Sequence, residues 1–284
     1  MIRSAVLSAL IALAAGGASA APRPMRVMSV NQCADQLVMM MLPPERIASI
    51  TYLGGRSAVA PALAAKARSL KANHGLSEEA LADRPDLIVA GRYTTTTLRK
   101  LAKQAGIPVI ELEPAEDFDA IRAQTLRLGR AFGEQARAKA LVAHMDAVLA
   151  ELKRTAPRRR IVAIGWNGGG RVVGRRSLFD AILTAAGGDN PAADQGAFER
   201  TLDLEQLLSL KPQPDVLLYA SGHAGGLAGR DNARRPILVR AYGPRLLAYG
   251  QDAYQCGTPY AADEAVALRR AMLAAMRLPK AGPP

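Results

Sequence analysis

FDAIRAQTLRLGRAFGEQARAKALVAHMDAVLAELKRT, residues Phe118 to Thr155, is the stretch on which the reading of the chain turns. In its second half, Gln135 to Lys153, the apolar residues Ala138, Leu141, Val142, Met145, Val148, Leu149 and Leu152 recur at helical spacing. One face is apolar and the other charged, which predicts a single amphipathic helix. From Glu134 to Arg154 it would span roughly 30 Å at about 1.5 Å per residue, the width of a small domain. A shorter helix, Phe118 to Phe132, carries Ile121, Leu128 and Phe132 on one side and leads into the long one across Gly133, where a break or bend is expected.

Working outward, similar pieces of sequence flank this crosspiece. LSEEALADRPDLIVAGRY (Leu76 to Tyr93) precedes it and LDLEQLLSLKPQPDVLLYASG (Leu202 to Gly222) follows it. Each has a Glu at the start of a short amphipathic helix, a Pro seven residues later, an Asp and an apolar β-run. Glu78 and Pro85 match Glu205 and Pro212, with Gln213 and Pro214 inserted before Asp215. Short strands alternating with helices predict parallel sheets covered on both faces. The fold class is therefore α/β: two Rossmann-like lobes joined by a long rigid helix, with a cleft between them. The expected division is a leader at 1–20, a first lobe at 21–117, the crosspiece at 118–157 and a second lobe at 158–284.

The leader has Arg3 in a positive n-region, an apolar run from Ala5 to Ala15, and Ala18-Ser19-Ala20 as a small-x-small cleavage site. Export with cleavage after Ala20 is the expectation; the apolar run is too short for a spanning anchor. The net charge of +12 is scattered, with Arg158 to Arg160, Arg175 and Arg176, Arg234 and Arg235, and Arg269 and Arg270 on separate elements. Such scatter, without interleaved aromatics, argues against nucleic acid. No nucleophile elbow, paired-histidine zinc helix, CxxC or phosphate-binding loop is present, so catalysis and a cofactor are not expected. A zinc or manganese site would need more ligands than His74, His144 and His223 supply, and remains a lesser alternative.

In open α/β sheets ligands lie at the loops after strand carboxyl ends. In the first lobe those loops offer Gln32, Cys33, Tyr52, Arg92 and Tyr93, with His74 close by in an Asn-His-Gly turn. In the second they offer Trp166, Asn167, Tyr254 and Cys256. Aromatic rings at such an edge suit a ligand cleft. Cys33 and Cys256 are the only cysteines; in an oxidising compartment they either pair, tying the first loop to the last, or stay as two thiols facing a ligand, or are two unrelated small core residues. Glu78 and Glu205 each sit where a carboxylate also favours a helix N-terminus. An exported enzyme or redox protein using the cleft and the Cys pair is the alternative from another class.

The segments RVMSVNQCADQL, PERIASIT, NHGLSEEALADRPDLIVAGRYT, LFDAILTAAGGDN, LDLEQLLSLKPQPDVLLY and QCGTPYAADEAV resemble those of periplasmic solute-binding proteins of the cobalamin and iron-siderophore type. The resemblance covers the whole chain after the leader. It implies two α/β lobes that close only slightly around a metal chelate (cobalamin, a ferric siderophore or haem), a monomeric receptor, and delivery to an inner-membrane ABC permease. It further implies that one exposed Glu per lobe, Glu78 and Glu205 by motif position, docks to permease arginines. Two departures stand out: Ala186 replaces a cysteine carried before the GGxN turn by cobalamin binders, and Gly91 replaces their aromatic, with Tyr93 two residues on.

Overall fold

The computed structural model describes residues 23–56, 60–92, 94–192, 199–221 and 235–278. The expected leader, Tyr93, His223 and the Gly-rich run 222–231 lie outside the described residues.

The first lobe is a five-stranded parallel sheet in the order β3-β2-β1-β4-β5. Its strands are β1 (Val27–Ser29), β2 (Ile47–Thr51), β3 (Ala72–Asn73), β4 (Leu87–Gly91) and β5 (Val109–Leu112). Register is set by pairs such as Met28 with Ile88 and Val89 with Ile110. Four helices make the crossovers: α1 (Gln32–Met41), α2 (Pro61–Arg68), α3 (Ser77–Asp83) and α4 (Thr96–Gln104). The interior strand β4 is buried at every position, as expected for a sheet covered on both faces. Gln32 and Cys33, expected on a loop, open α1 instead. Asn31 is the N-cap, its side-chain oxygen accepting from the amides of Cys33 and Ala34, so α1 begins two residues earlier than its apolar pattern.

The second lobe repeats the plan with a four-stranded parallel sheet in the order β11-β10-β6-β8. It contains β6 (Ile161–Gly165), β8 (Gly188–Asp189), β10 (Val216–Ser221) and β11 (Leu246–Gly250). An antiparallel pair, β7 (Arg171–Val173) and β9 (Glu199–Thr201), lies beside it. The helices are α7 (Leu178–Ala185), α8 (Leu204–Ser209), α9 (Pro236–Tyr242), α10 (Gln251–Gln255) and α11 (Ala261–Met276). Ser177 caps α7 through the Asp180 amide, as its position predicts.

The crosspiece differs from the single span anticipated. Its helices α5 (Phe118–Phe132) and α6 (Gln135–Arg154) keep the expected bounds to within a residue, but they form an antiparallel hairpin. Gly133 reverses the chain with a φ of 71°, a left-handed conformation that glycine adopts without a Cβ clash. Arg122 on α5 accordingly reaches Asp146 on α6 at 2.6 Å. Both helices bridge the lobes: Leu128 and Phe132 are buried in the first-lobe core, whereas Ile121, Met145 and Leu152 are buried in the second. The chain therefore passes between lobes three times, through residues 113–117, then α5, then α6. The apolar face of α6 reads correctly from sequence because a helix serving two cores needs the same stripe as one serving a single core.

Among the described residues no helix is long and apolar enough to cross a membrane.

Candidate ligand-binding site

A cavity of about 860 Å³ lies between the carboxyl edges of the two sheets. That is at the large end of the roughly 300–1,000 Å³ usual for small-molecule sites. Its first-lobe wall comes from Asn31 and Cys33 after β1, Gly91 and Arg92 after β4, and Glu113 and Glu116 after β5. Gln124 of α5 also reaches it. From the second lobe come Asn167 after β6, Arg171 on β7, and Arg176 and Ser177 ahead of α7. Phe179, Tyr249 and Tyr254 make the apolar back of that wall, with ring centroids 4.8 to 5.9 Å apart.

Polar contacts fix several of these groups. The Asn167 side-chain oxygen accepts from the Ala220 amide at 2.9 Å and from the Tyr249 hydroxyl at 3.2 Å, which leaves its amide nitrogen as the group available to a ligand. Burial pushes the Tyr254 phenol well above its ordinary range, with Glu264 and Tyr249 adding to the effect, so it stays a neutral hydroxyl. Arg92 meets Glu113 at 3.3 Å.

Cys33 and Cys256 are joined by a disulfide between the lobes, with Cα atoms 4.8 Å apart across 223 residues of sequence. Beside it Gln32 donates to Asp252 at 3.2 Å. The next residue, Gly257, packs so closely on the first crossing that an added Cβ would lie 2.2 Å from that of Ala115. A side chain at 257 would therefore push the crossing away from the second-lobe core. The bridge and the 113–116 crossing therefore stand side by side, and Cys33, Gly257 and Ala115 all line the cavity.

Of the residues anticipated from sequence, Cys33, Arg92, Asn167 and Tyr254 thus meet at one cavity. Gln32 and Cys256 contribute the bridge beside it. Tyr52 and His74 do not line it; they stack on each other at 5.0 Å on the far side of the sheet, after β2 and β3. His74 is held by Glu79 at 3.1 Å, and hydrogen bonds from Leu76 and His74 keep that carboxylate below its usual pKa despite partial burial, which opposes the shift. Trp166 is a correction. It is only 3% exposed and donates to the Leu202 carbonyl at 2.9 Å within the second-lobe core. Strand alternation explains this: Trp166 shares the face of Ile164, whereas Gly165 and Asn167 face the cavity side. Sequence had marked the loop correctly and the ring on the wrong side of it.

Sequence reasoning also missed Asn31, Glu113, Arg171, Arg176, Phe179 and Tyr249 at the cavity. Asp35 was missed too, although it positions the 52–56 loop. Fully buried, it accepts from the Thr51 amide at 3.1 Å and from the Thr51 hydroxyl, while neighbouring Gln36 donates to the Gly54 carbonyl. Burial raises its pKa from 3.8 to about 7, against hydrogen bonds from Ser29 and Thr51 that favour the charged form. The unfolded chain thus releases this proton first. Stability from Asp35 is present in full below the unfolded pKa and is lost as pH rises toward about 7. Asp35→Asn is expected to remove that component. Denaturant titrations at pH 4.5 and 7.5 should show the wild type losing several-fold more stability between them than the variant, and parallel curves would refute the assignment.

Glu78 and Glu205 occupy matching places outside the cavity. Each is the second residue of its helix, α3 or α8, and is exposed. In each case the following residue turns back to cap the helix: Glu79 accepts from the Leu76 amide and Gln206 from the Asp203 amide, both at 3.0 Å. Helix capping therefore does not need Glu78 or Glu205. Among the described residues no group of three or more His, Cys, Asp or Glu side chains is placed to hold a metal ion.

Two doubly wound lobes with a cavity between their strand ends define a small-molecule binding architecture. The chain belongs to the periplasmic binding protein family, whose characteristic sequence matches residues 29–235. Over 139 residues, 47% of this chain, it is 29% identical to a cobalamin-binding protein of Halobacterium salinarum, and the match spans 37% of that relative's length. In structure it is similar to the periplasmic heme-binding protein RhuT of Roseiflexus sp. RS-1, with a TM-score of 0.72 and 21% identity over 88% of this chain and 98% of the other. It is also similar to the vitamin B12-binding protein BtuF of Vibrio cholerae, with a TM-score of 0.65 and 18% identity over 90% and 99% of the two chains.

Proposed function

We propose that this chain is the substrate-binding component of an ABC importer, exported to the periplasm with cleavage after Ala20. It acts as a monomer, without catalysis, and captures a metal chelate (cobalamin, a ferric siderophore or haem) for an inner-membrane permease. Residues 21–117 and 158–284 serve as the two lobes and 118–157 as their link. The observation that carries the reading is the cavity of about 860 Å³ between the lobes of a periplasmic binding protein chain. The equivalent, exposed Glu78 and Glu205 support it, one on each lobe and neither needed to cap its helix. Calorimetric titration of the purified protein with cyanocobalamin, haem and a panel of ferric siderophores tests the proposal. Saturable one-to-one binding of one chelate is expected. Folded protein that binds none of them would overturn the reading.

A further inference from the structure

Arg171 and Arg176 stand on the same wall of the cavity. Among the described residues neither side chain makes a hydrogen bond or an ion pair. Their situation differs from that of Arg92 across the cavity, which already faces Glu113. No carboxylate lines their wall: Asp180, the acid closest to them in sequence, is held by Asn190 at 2.9 Å. Both acidic residues of the cavity, Glu113 and Glu116, are on the opposite side. The turn that makes Ser177 the cap of α7 holds Arg176 at a φ of 55°, a conformation that residues with a side chain seldom adopt. The aromatic group of Phe179, Tyr249 and Tyr254 lines the same cavity from the same lobe.

The geometry points to an anionic chelate as the ligand of this cavity. Its apolar or flat face rests on the three aromatic rings, and its carboxylate or phenolate oxygens reach Arg171 and Arg176. Guanidinium groups match such oxygens with paired, charge-assisted hydrogen bonds. A chelate with a neutral periphery would cover the two arginines and leave them unpaired, which opposes its binding. The inference rests on the proposed role as a chelate receptor and narrows its substrate class.

Two matched pairs of probes test it: haem against its dimethyl ester, and a ferric tris-catecholate against a ferric tris-hydroxamate. Each is titrated into the wild-type protein and into Arg171→Gln/Arg176→Gln. Both side chains are exposed and unpartnered, so the variant is expected to fold, with a circular dichroism melt as the check. In at least one pair the anionic member should bind at least ~10-fold tighter than its neutral counterpart and lose roughly 10- to 100-fold in the variant, as charge-assisted hydrogen bonds require. The neutral member should be nearly unaffected, and Arg171→Lys/Arg176→Lys should recover part of the loss. Neutral members, or cobalamin, binding as tightly as the anionic ones and indifferent to the substitutions would overturn the anionic assignment alone. Absence of binding by every chelate would overturn the receptor reading together with it.

Discussion

Replacing Glu78 and Glu205 together by Ala is expected to abolish ligand uptake by cells while leaving the purified protein's ligand affinity and folding unchanged. Both carboxylates are exposed and lie outside the cavity. Capping of α3 and α8 passes to Glu79 and Gln206, so the helices lose only the favourable placement of an acid near the N-terminus, about 0.3–1 kcal/mol each. The loss at a docking contact is larger. Truncating one partner of a desolvated charge pair removes about 2 kcal/mol or more, so two such pairs together weaken docking by roughly a thousandfold. Either single variant should retain partial uptake. Transport measured in cells alongside calorimetry on the purified protein separates the two effects. Normal uptake by the double variant, or a loss of ligand affinity, would remove these residues from the docking role.

The second large effect is expected from Cys33→Ala/Cys256→Ala. The bond closes a loop of 223 residues, and the entropy that so long a loop withholds from the unfolded chain is about 5.4 kcal/mol in the simple chain model. Part of this constraint is shared with the helical hairpin, so a loss of about 2–5 kcal/mol is expected in denaturant titrations. Ala is preferred to Ser here because Cys256 is completely buried and a hydroxyl would need a partner. The variant should also show a broader distribution of lobe separations in small-angle scattering. Unchanged stability would mean that the hairpin alone sets the relation between the lobes. Ready reduction of the bond in the folded protein by a mild dithiol would instead favour the redox alternative considered from sequence.

Much of the fold was legible because the crosspiece helices and the paired LSEEALADRPDLIVAG and LDLEQLLSLKPQPDVLLYA segments have strong local periodicity. What periodicity could not convey was direction. A glycine at 133 is compatible with a bend or with a full reversal, and only the packing of Leu128 in one core and Ile121 in the other distinguishes them. Strands β3, β7, β8 and β9, of two or three residues each, are too short to show alternation. For the site, brackets of loop residues were readable and side-chain facing was not: a shift of one position separates Trp166 in the core from Asn167 at the cavity. Arg176, read as one of several scattered surface charges, lines the cavity together with Arg171, and nothing in the local pattern shows on which side either guanidinium falls.

One consequence of the Cys33–Cys256 bridge concerns how a partner could distinguish a loaded receptor from an empty one. The bridge and the chain's first crossing, in contact through Gly257 and Ala115, tie the lobes together beside the cavity. Lobes tied in this way have little freedom to separate at the bridge, so cargo is expected to enter at the open side of the cavity, past exposed side chains such as Arg92 and Arg176. Glu78 and Glu205, mounted on those same lobes, then keep a constant spacing whether the cavity is full or vacant. If they dock to a permease as proposed, their contact carries little information about cargo, and a preference of the partner for the loaded form would be read from the surface of the gap itself.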